Sequence, residues 1–243
     1  MITKVEGIVF SERDYNETSK IINVITKEYG IIGLLAKGAK SIKSDLRTVT
    51  SKMTYGYFNI YYKENKLSLL SSVDVIDNLK NIKKDITKIS YASFLLDLAS
   101  QVIKQNNHCD IYTLLVNSLL KINEGFDPLV ITNILELKYL DYLGVMPIID
   151  KCSYCGNTSN IITISAHRGG YLCKNCRQNE RIVSLKAIKL IRMFYYVDIS
   201  KISTLNIGNQ AKKEINQFLD EYYDRYTGLY LKSKHFLNNL LKL

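Results

Sequence analysis

Hydrophobic positions change their rhythm near residue 84, and the change divides the chain. Before it the pattern is that of short strands. Ile2 to Phe10 alternates loosely, and the apolar runs Lys20–Lys27 and Ile31–Lys37 flank a short Glu28-Tyr29-Gly30 connection, a hairpin signature. Met53 to Tyr62 is rich in aromatics at period two, and Leu67 to Ile76 follows the polar turn Lys63-Glu64-Asn65-Lys66. Five short strands without an early helix predict a small closed barrel, and that number fits an OB-fold.

Beyond residue 84, Ile86, Ile89, Ala92, Leu95, Leu96, Ala99, Val102 and Ile103 recur at the spacing of an amphipathic helix. A second helix is predicted from Ile111 to Ile122. A third opens at Asp127-Pro128, an N-cap with proline at the first helical position, and stops at Gly144 before Pro147. Ser184 caps a helix running through Ile191 and Tyr195, another covers about 209–226, and a short last one includes Phe236, Leu237 and Leu240. The predicted fold class is α+β. An N-terminal five-stranded OB-fold barrel (1–80) precedes an α-helical domain (81–243), into which a four-cysteine zinc module (151–177) is inserted.

That insert carries the strongest chemical signal. Cys152-Ser-Tyr-Cys155 and Cys173-Lys-Asn-Cys176 are two C-x-x-C pairs separated by residues 156–172, the spacing of a zinc site. Two residues between thiolates let both sulfurs of a tight knuckle reach one ion at about 2.3 Å, and two knuckles complete a tetrahedron. Ile161 to Ala166 reads as a strand and Arg168-Gly169-Gly170 as a turn, which supplies a ribbon for the knuckles. Two disulfides would need an oxidising compartment, and a thioredoxin-type redox pair would not need a second copy. The expectation is one structural Zn2+ on Cys152, Cys155, Cys173 and Cys176. With four cysteine ligands no position is left for a catalytic water. Cys109 is left over and is expected to be a buried thiol; His167 is expected in a loop.

The formal net charge of +10 makes a polyanionic partner plausible. Zinc on four thiolates lowers that to about +8. Charge is uneven: residues 1–80 carry twelve Lys and Arg against nine Asp and Glu, residues 81–150 six against eight, and residues 177–243 twelve against six. Two basic ends around a slightly acidic middle suggest distinct surfaces for distinct partners. In the first, Lys37, Lys40, Lys43, Arg47 and Lys52 are interrupted only by Asp45 and precede the aromatic strand. Cations that follow a phosphate backbone beside aromatics that stack bases form an OB-fold recipe for DNA. A solvated lysine loop with aromatics filling the core is the plainer alternative. At period two Tyr57 and Tyr61 face away from Phe58 and Tyr62, so one set at most points outward. Lys186, Lys189, Arg192, Lys212 and Lys213 form the rival basic surface.

Enzymatic motifs are missing. Gly33-Leu-Leu-Ala-Lys-Gly38-Ala-Lys40-Ser41 has one residue too many for a phosphate-binding loop, and its interior is apolar strand sequence. Neither H-E-x-x-H nor G-x-S-x-G occurs, and His108, His167 and His235 are far apart. Asp97, Glu136 and Asp141 are expected as solvated or salt-bridged helix residues. The start of the chain has no apolar signal region, and no run reaches the roughly 18 residues of a membrane span. A soluble, cytoplasmic protein that is not an enzyme is the expectation.

Taken in order, these segments resemble the RecO family of bacterial recombination mediators over nearly the full length. The early match is Glu17 to Thr26, Gly30, Ala36-Lys37-Gly38-Ala39-Lys40 and Ser44. The central match is Leu135-Glu136-Leu137 through Leu143-Gly144 with Pro147, although the family commonly has an aromatic where Leu135 stands. The four-cysteine segment with Gly156 and Gly169-Gly170 follows, then Tyr230-Leu-Lys232-Ser233 with Phe236-Leu237. The resemblance implies an OB-fold, a helical domain and a zinc module. It also implies binding of single- and double-stranded DNA, annealing of complementary strands and assistance to RecA. RecR and the acidic C-terminal tail of single-strand-binding protein are the implied partners. A zinc-ribbon adaptor that binds an acidic protein, or a thiol-redox protein, are the alternatives from other classes.

Overall fold

The computed structural model describes residues 2–240. Five strands, β1 (Thr3–Asp14), β2 (Lys20–Thr26), β3 (Gly30–Ala36), β4 (Tyr55–Tyr61) and β5 (Ser68–Asp77), close into a barrel in the order β1-β2-β3-β5-β4. Alternation sets which side chains fill it: Val5 and Val9, Ile22 and Val24, Ile32 and Leu34, Phe58 and Ile60, and Leu70 form one buried cluster. Emptying the Phe58 position would cost about 3–5 kcal/mol. Closure is thin at one seam, where β3 and β5 pair in parallel only at Leu34↔Ser68 and Leu35↔Leu69. Between β3 and β4 lies a four-residue helix, α1 (Leu46–Val49), which corrects the expectation of no early helix. One helical turn is too short for periodicity to register.

After the short α2 (Lys80–Lys83) come α3 (Ile86–Gln105), capped by Asp85, and α4 (Cys109–Glu124). Pro128–Tyr142 forms α5, whose Asp127 cap accepts from the Leu129 and Val130 N–H groups as the Asp-Pro pair predicts. At its end the Val145 N–H reaches back to the Leu140 carbonyl at 3.0 Å, beyond Gly144. The hairpin β6 (Ile161–Ser165) and β7 (Gly170–Cys173) carries the cysteines. Ser184 caps α6 (Leu185–Tyr196), and α7 (Asn209–Tyr226) and α8 (Lys232–Leu240) complete the order. No helix among the described residues is long and apolar enough to cross a membrane.

The chain forms two compact units: Met1–Asn123 with Ser233–Leu243, and Glu124–Lys232. In the first, α3 packs on β1 and β3, and Ser233 Oγ donates to Asp97 Oδ2 at 2.5 Å, fastening the start of α8. In the second, α5 packs against α6 and α7. Two expectations need correction. Cys109 is exposed rather than buried, because Asn106-Asn107-His108 lead into α4 along the surface and the first buried position is Ile111. Glu136 is only 1% exposed, because α5 is buried on every side from Val130 to Leu137.

Candidate metal centre and basic surfaces

The cysteine knuckles are built by backbone before any metal is considered. The Gly156 N–H donates to the Cys152 carbonyl at 2.9 Å and the Cys152 N–H to the Asn157 carbonyl at 2.7 Å, closing the first turn. Gly156 holds φ +75°, a left-handed value that favours glycine. The second turn closes when the Cys176 and Arg177 N–H groups both reach the Cys173 carbonyl at 3.1 Å. The hairpin sets one turn over the other: the Ser153 N–H donates to the Tyr171 carbonyl at 2.8 Å, and the Lys174 N–H to the Asn160 carbonyl at 3.0 Å.

Gly170 anchors the ribbon. Its backbone bridges Ile148, just past α5, and the Tyr171 N–H donates to the Ile148 carbonyl at 2.8 Å. A Cβ at Gly170 would lie 2.2 Å from that carbonyl oxygen, and its φ of +154° also excludes ordinary side chains.

The four sulfurs all lie within 4.8 Å of one another, and those of Cys155 and Cys173 are 3.7 Å apart. A disulfide would need about 2.05 Å. A tetrahedron of thiolates with bonds of about 2.3 Å has edges of about 3.8 Å, so the residues fit a metal ion. Cys152 and Cys173 are buried, Cys176 is half-buried and Cys155 is exposed. Burial pushes the Cys152 thiol up, but backbone hydrogen bonds from Cys155, Cys173 and Tyr154, with the Cys155 side chain, outweigh it and bring it down to about 6. At Cys176, hydrogen bonding to Cys155 and then burial hold the thiol up at about 12. Four thiolates this close repel each other, and a central cation removes that penalty.

The five cations of the barrel loop fare differently. Lys37, Lys43 and Arg47 are exposed, Arg47 on α1. Lys43 also lines a groove of about 390 Å³ between α1 and β5, with Asp45, Leu46 and Ser72. Lys40 is paired with Asp14 at 2.8 Å and also donates to the Asn16 carbonyl at 3.2 Å. That bond to Lys40 lowers the Asp14 carboxyl below its usual value. Lys52 is half-buried and donates to Ser93 Oγ on α3 at 3.1 Å. Burial pulls its ammonium below the ordinary lysine range, against the pull of Asp97.

On the aromatic strand Phe58 is fully buried while Tyr57 and Tyr61 face outward, with Lys4 Nζ 4.5 Å from the Tyr57 centroid. Of the rival cations, Lys212 is paired with Asp127. Lys186, Lys189 and Arg192 stand on the open face of α6 beside exposed Leu185, Met193 and Tyr196. Sequence reasoning passed over Asp14 and Ser93, which withdraw two of the cations. It also passed over Tyr154, the bulky residue inside the first C-x-x-C, which is 73% exposed.

Comparison with known proteins covers the whole chain. Residues 1–79 match the family model described as "Recombination protein O N terminal", and residues 83–235 match "Recombination protein O C terminal". A DNA repair protein RecO of Listeria monocytogenes is 37% identical over 245 residues, covering 98% of this chain and 95% of its own. Its counterpart in Bacillus pumilus is 37% identical over 246 residues (99% and 95%). That of Halalkalibacterium halodurans is 34% identical over 244 (99% and 96%).

Proposed function

The chain belongs to the RecO family of DNA repair and recombination proteins, and from that premise we propose that it is a recombination mediator without catalytic activity of its own. It binds single- and double-stranded DNA, anneals complementary strands and, with RecR, helps RecA replace single-strand-binding protein in the cytoplasm, at the nucleoid. The observation that carries this reading is the set of exposed cations Lys37, Lys43 and Arg47 in the connection between β3 and β4 of a closed five-stranded barrel. Lys40 and Lys52 stand in the same loop and add local positive potential, although each already has a partner. Such contacts hold the phosphate backbone without reading bases, which suits annealing: two strands approach when their mutual repulsion is neutralised.

The metal is Zn2+, bound by Cys152, Cys155, Cys173 and Cys176. It supplies a structural cross-link between the two knuckles; the four sulfurs hold it and exclude water from it. The open face of α6 suits the acidic tail of single-strand-binding protein, because the exposed Lys186, Lys189 and Arg192 stand on it together and can meet carboxylates. That same face favours the second reading, a zinc-ribbon adaptor that binds acidic protein and no DNA.

Oligonucleotide binding and annealing across a salt series, with and without RecR, separates the two. Mediator activity gives affinity that falls steeply with salt and annealing without ATP. An adaptor leaves bare oligonucleotides unbound while still retaining an acidic peptide.

A further inference from the structure

The zinc module presents a surface unlike the barrel loop or α6. Residues 151–179 hold four cations, Lys151, Arg168, Lys174 and Arg177, and no acid. Four thiolates around a divalent ion carry a net charge of about −2. The outer face is therefore only mildly cationic and draws phosphates weakly. What it offers instead is a ring. Tyr154 lies between the two cysteines of the first knuckle, and the turn that converges their sulfurs leaves its side chain in solvent. The Arg168 guanidinium lies 5.8 Å from the ring centroid. It is held there by Gln178 Oε1, which accepts from Nη2 at 2.9 Å, and by Glu180 Oε1, 3.5 Å from Nε. A ring so exposed contributes little to a core. A solvent-facing aromatic with an oriented guanidinium beside it matches the chemistry of an unpaired base: the ring takes the base face, and the guanidinium, itself held by Glu180 and Gln178, supports the ring from beside it.

We propose that Tyr154 and Arg168 form a stacking site for one base of a single-stranded nucleic acid, separate from the cations of the barrel. This rests on the reading that the chain binds DNA, and it adds what that reading lacks, a contact that distinguishes unpaired strand from duplex. Phosphates are present in both, whereas a free base face exists only where pairing and stacking have been lost. Every base has such a face, so the site tolerates any sequence.

The protein has no tryptophan, so Tyr154→Trp gives the full-length, metal-loaded chain a single reporter at the site. Titrated with an ordinary oligonucleotide, that Trp is quenched on binding; an abasic strand of equal length binds without quenching it. In parallel, Tyr154→Ala weakens binding of the ordinary strand by about fivefold or more, leaves the abasic strand unchanged and keeps its zinc, while Tyr154→Phe behaves as the parent protein. Unchanged Trp emission at saturation with the ordinary strand overturns the stacking site, as does wild-type affinity in Tyr154→Ala. If Tyr154→Ala loses its metal, the Trp titration alone decides. Failure of the parent protein to bind any strand is a different result: it overturns the DNA-binding reading and this site with it.

Discussion

Cys155 and Cys173 bring their sulfurs to within 3.7 Å of each other across eighteen residues of chain. Lys40 and Lys52 belong to one basic loop in the sequence, yet one is bound to Asp14 on β1 and the other to Ser93 on α3. Both regions are clusters when read linearly. The difference lies in what decides their availability. Knuckle geometry is local: two tight turns and one hairpin determine it, and each is encoded within a few residues. The availability of a cation is decided by whichever carboxylate or hydroxyl the fold carries past it, and those partners lie 26 and 41 residues away. Spacing is therefore strong evidence for a metal site and weak evidence for a charged surface.

The largest test of that contrast is Cys152→Ser. Structural zinc contributes about 10–16 kcal/mol of binding free energy in isolated fingers, so losing one ligand should release the metal and destabilise the protein by several kcal/mol. Metal analysis and a thermal melt read both, and a stable variant with one zinc per chain would break the comparison on its stronger side. Next is Gly170→Ala, where the new Cβ meets the Ile148 carbonyl at 2.2 Å. Displacing the ribbon from its anchor should cost about 2 kcal/mol or more, read as a lowered Tm while the cysteines still bind metal.

A smaller effect separates the cations from one another. Replacing Lys37, Lys43 and Arg47 by Ala should flatten the salt dependence of single-strand binding by about two units of slope. Lys40→Ala should flatten it less than any of those three, because its charge is already shared with Asp14. Equal effects from all five positions would mean that pairing does not withdraw a cation from DNA. The smallest effect is expected at Lys52. Burial lowers its pKa in the folded state, so the charged form is disfavoured there and folding carries that penalty at neutral pH. Lys52→Met should therefore equal or slightly exceed the parent in stability at pH 7. Any advantage should shrink as pH rises through the lowered folded pKa toward the unfolded value near 10.5, checked by denaturant melts across that range.

How far the fold was legible follows the same division. Parity along the aromatic strand separated Tyr57 and Tyr61 from Phe58 without saying which faced solvent; the structure turns Phe58 inward and Tyr57 and Tyr61 outward. Asp127-Pro128 and Ser184 announced helix starts that the structure keeps. Glu136 misled because a carboxylate at a helical position normally faces water; here Val130, Ile131, Ile134, Leu135 and Leu137 surround it with apolar positions on every side of the helix. Gly170 read as turn because glycine pairs usually turn, whereas its role is to let two backbones touch. Tyr154 gave no signal, since zinc spacing is defined by the cysteines and says nothing of the residues between them.

The return of the chain to its first unit has a consequence for synthesis. Glu124–Lys232 is inserted between two pieces of the other unit, and the second piece, beginning at Ser233, is made after it. The four-cysteine segment precedes α8 by more than fifty residues, so on the ribosome it can close its two knuckles while the barrel unit still lacks the helix that places Ser233 against Asp97 and buries Leu237. An mRNA truncated just before Ser233 would yield a chain with its four-cysteine module complete and its N-terminal unit unfinished, a product for quality-control proteases to find by the surface that α8 would have covered.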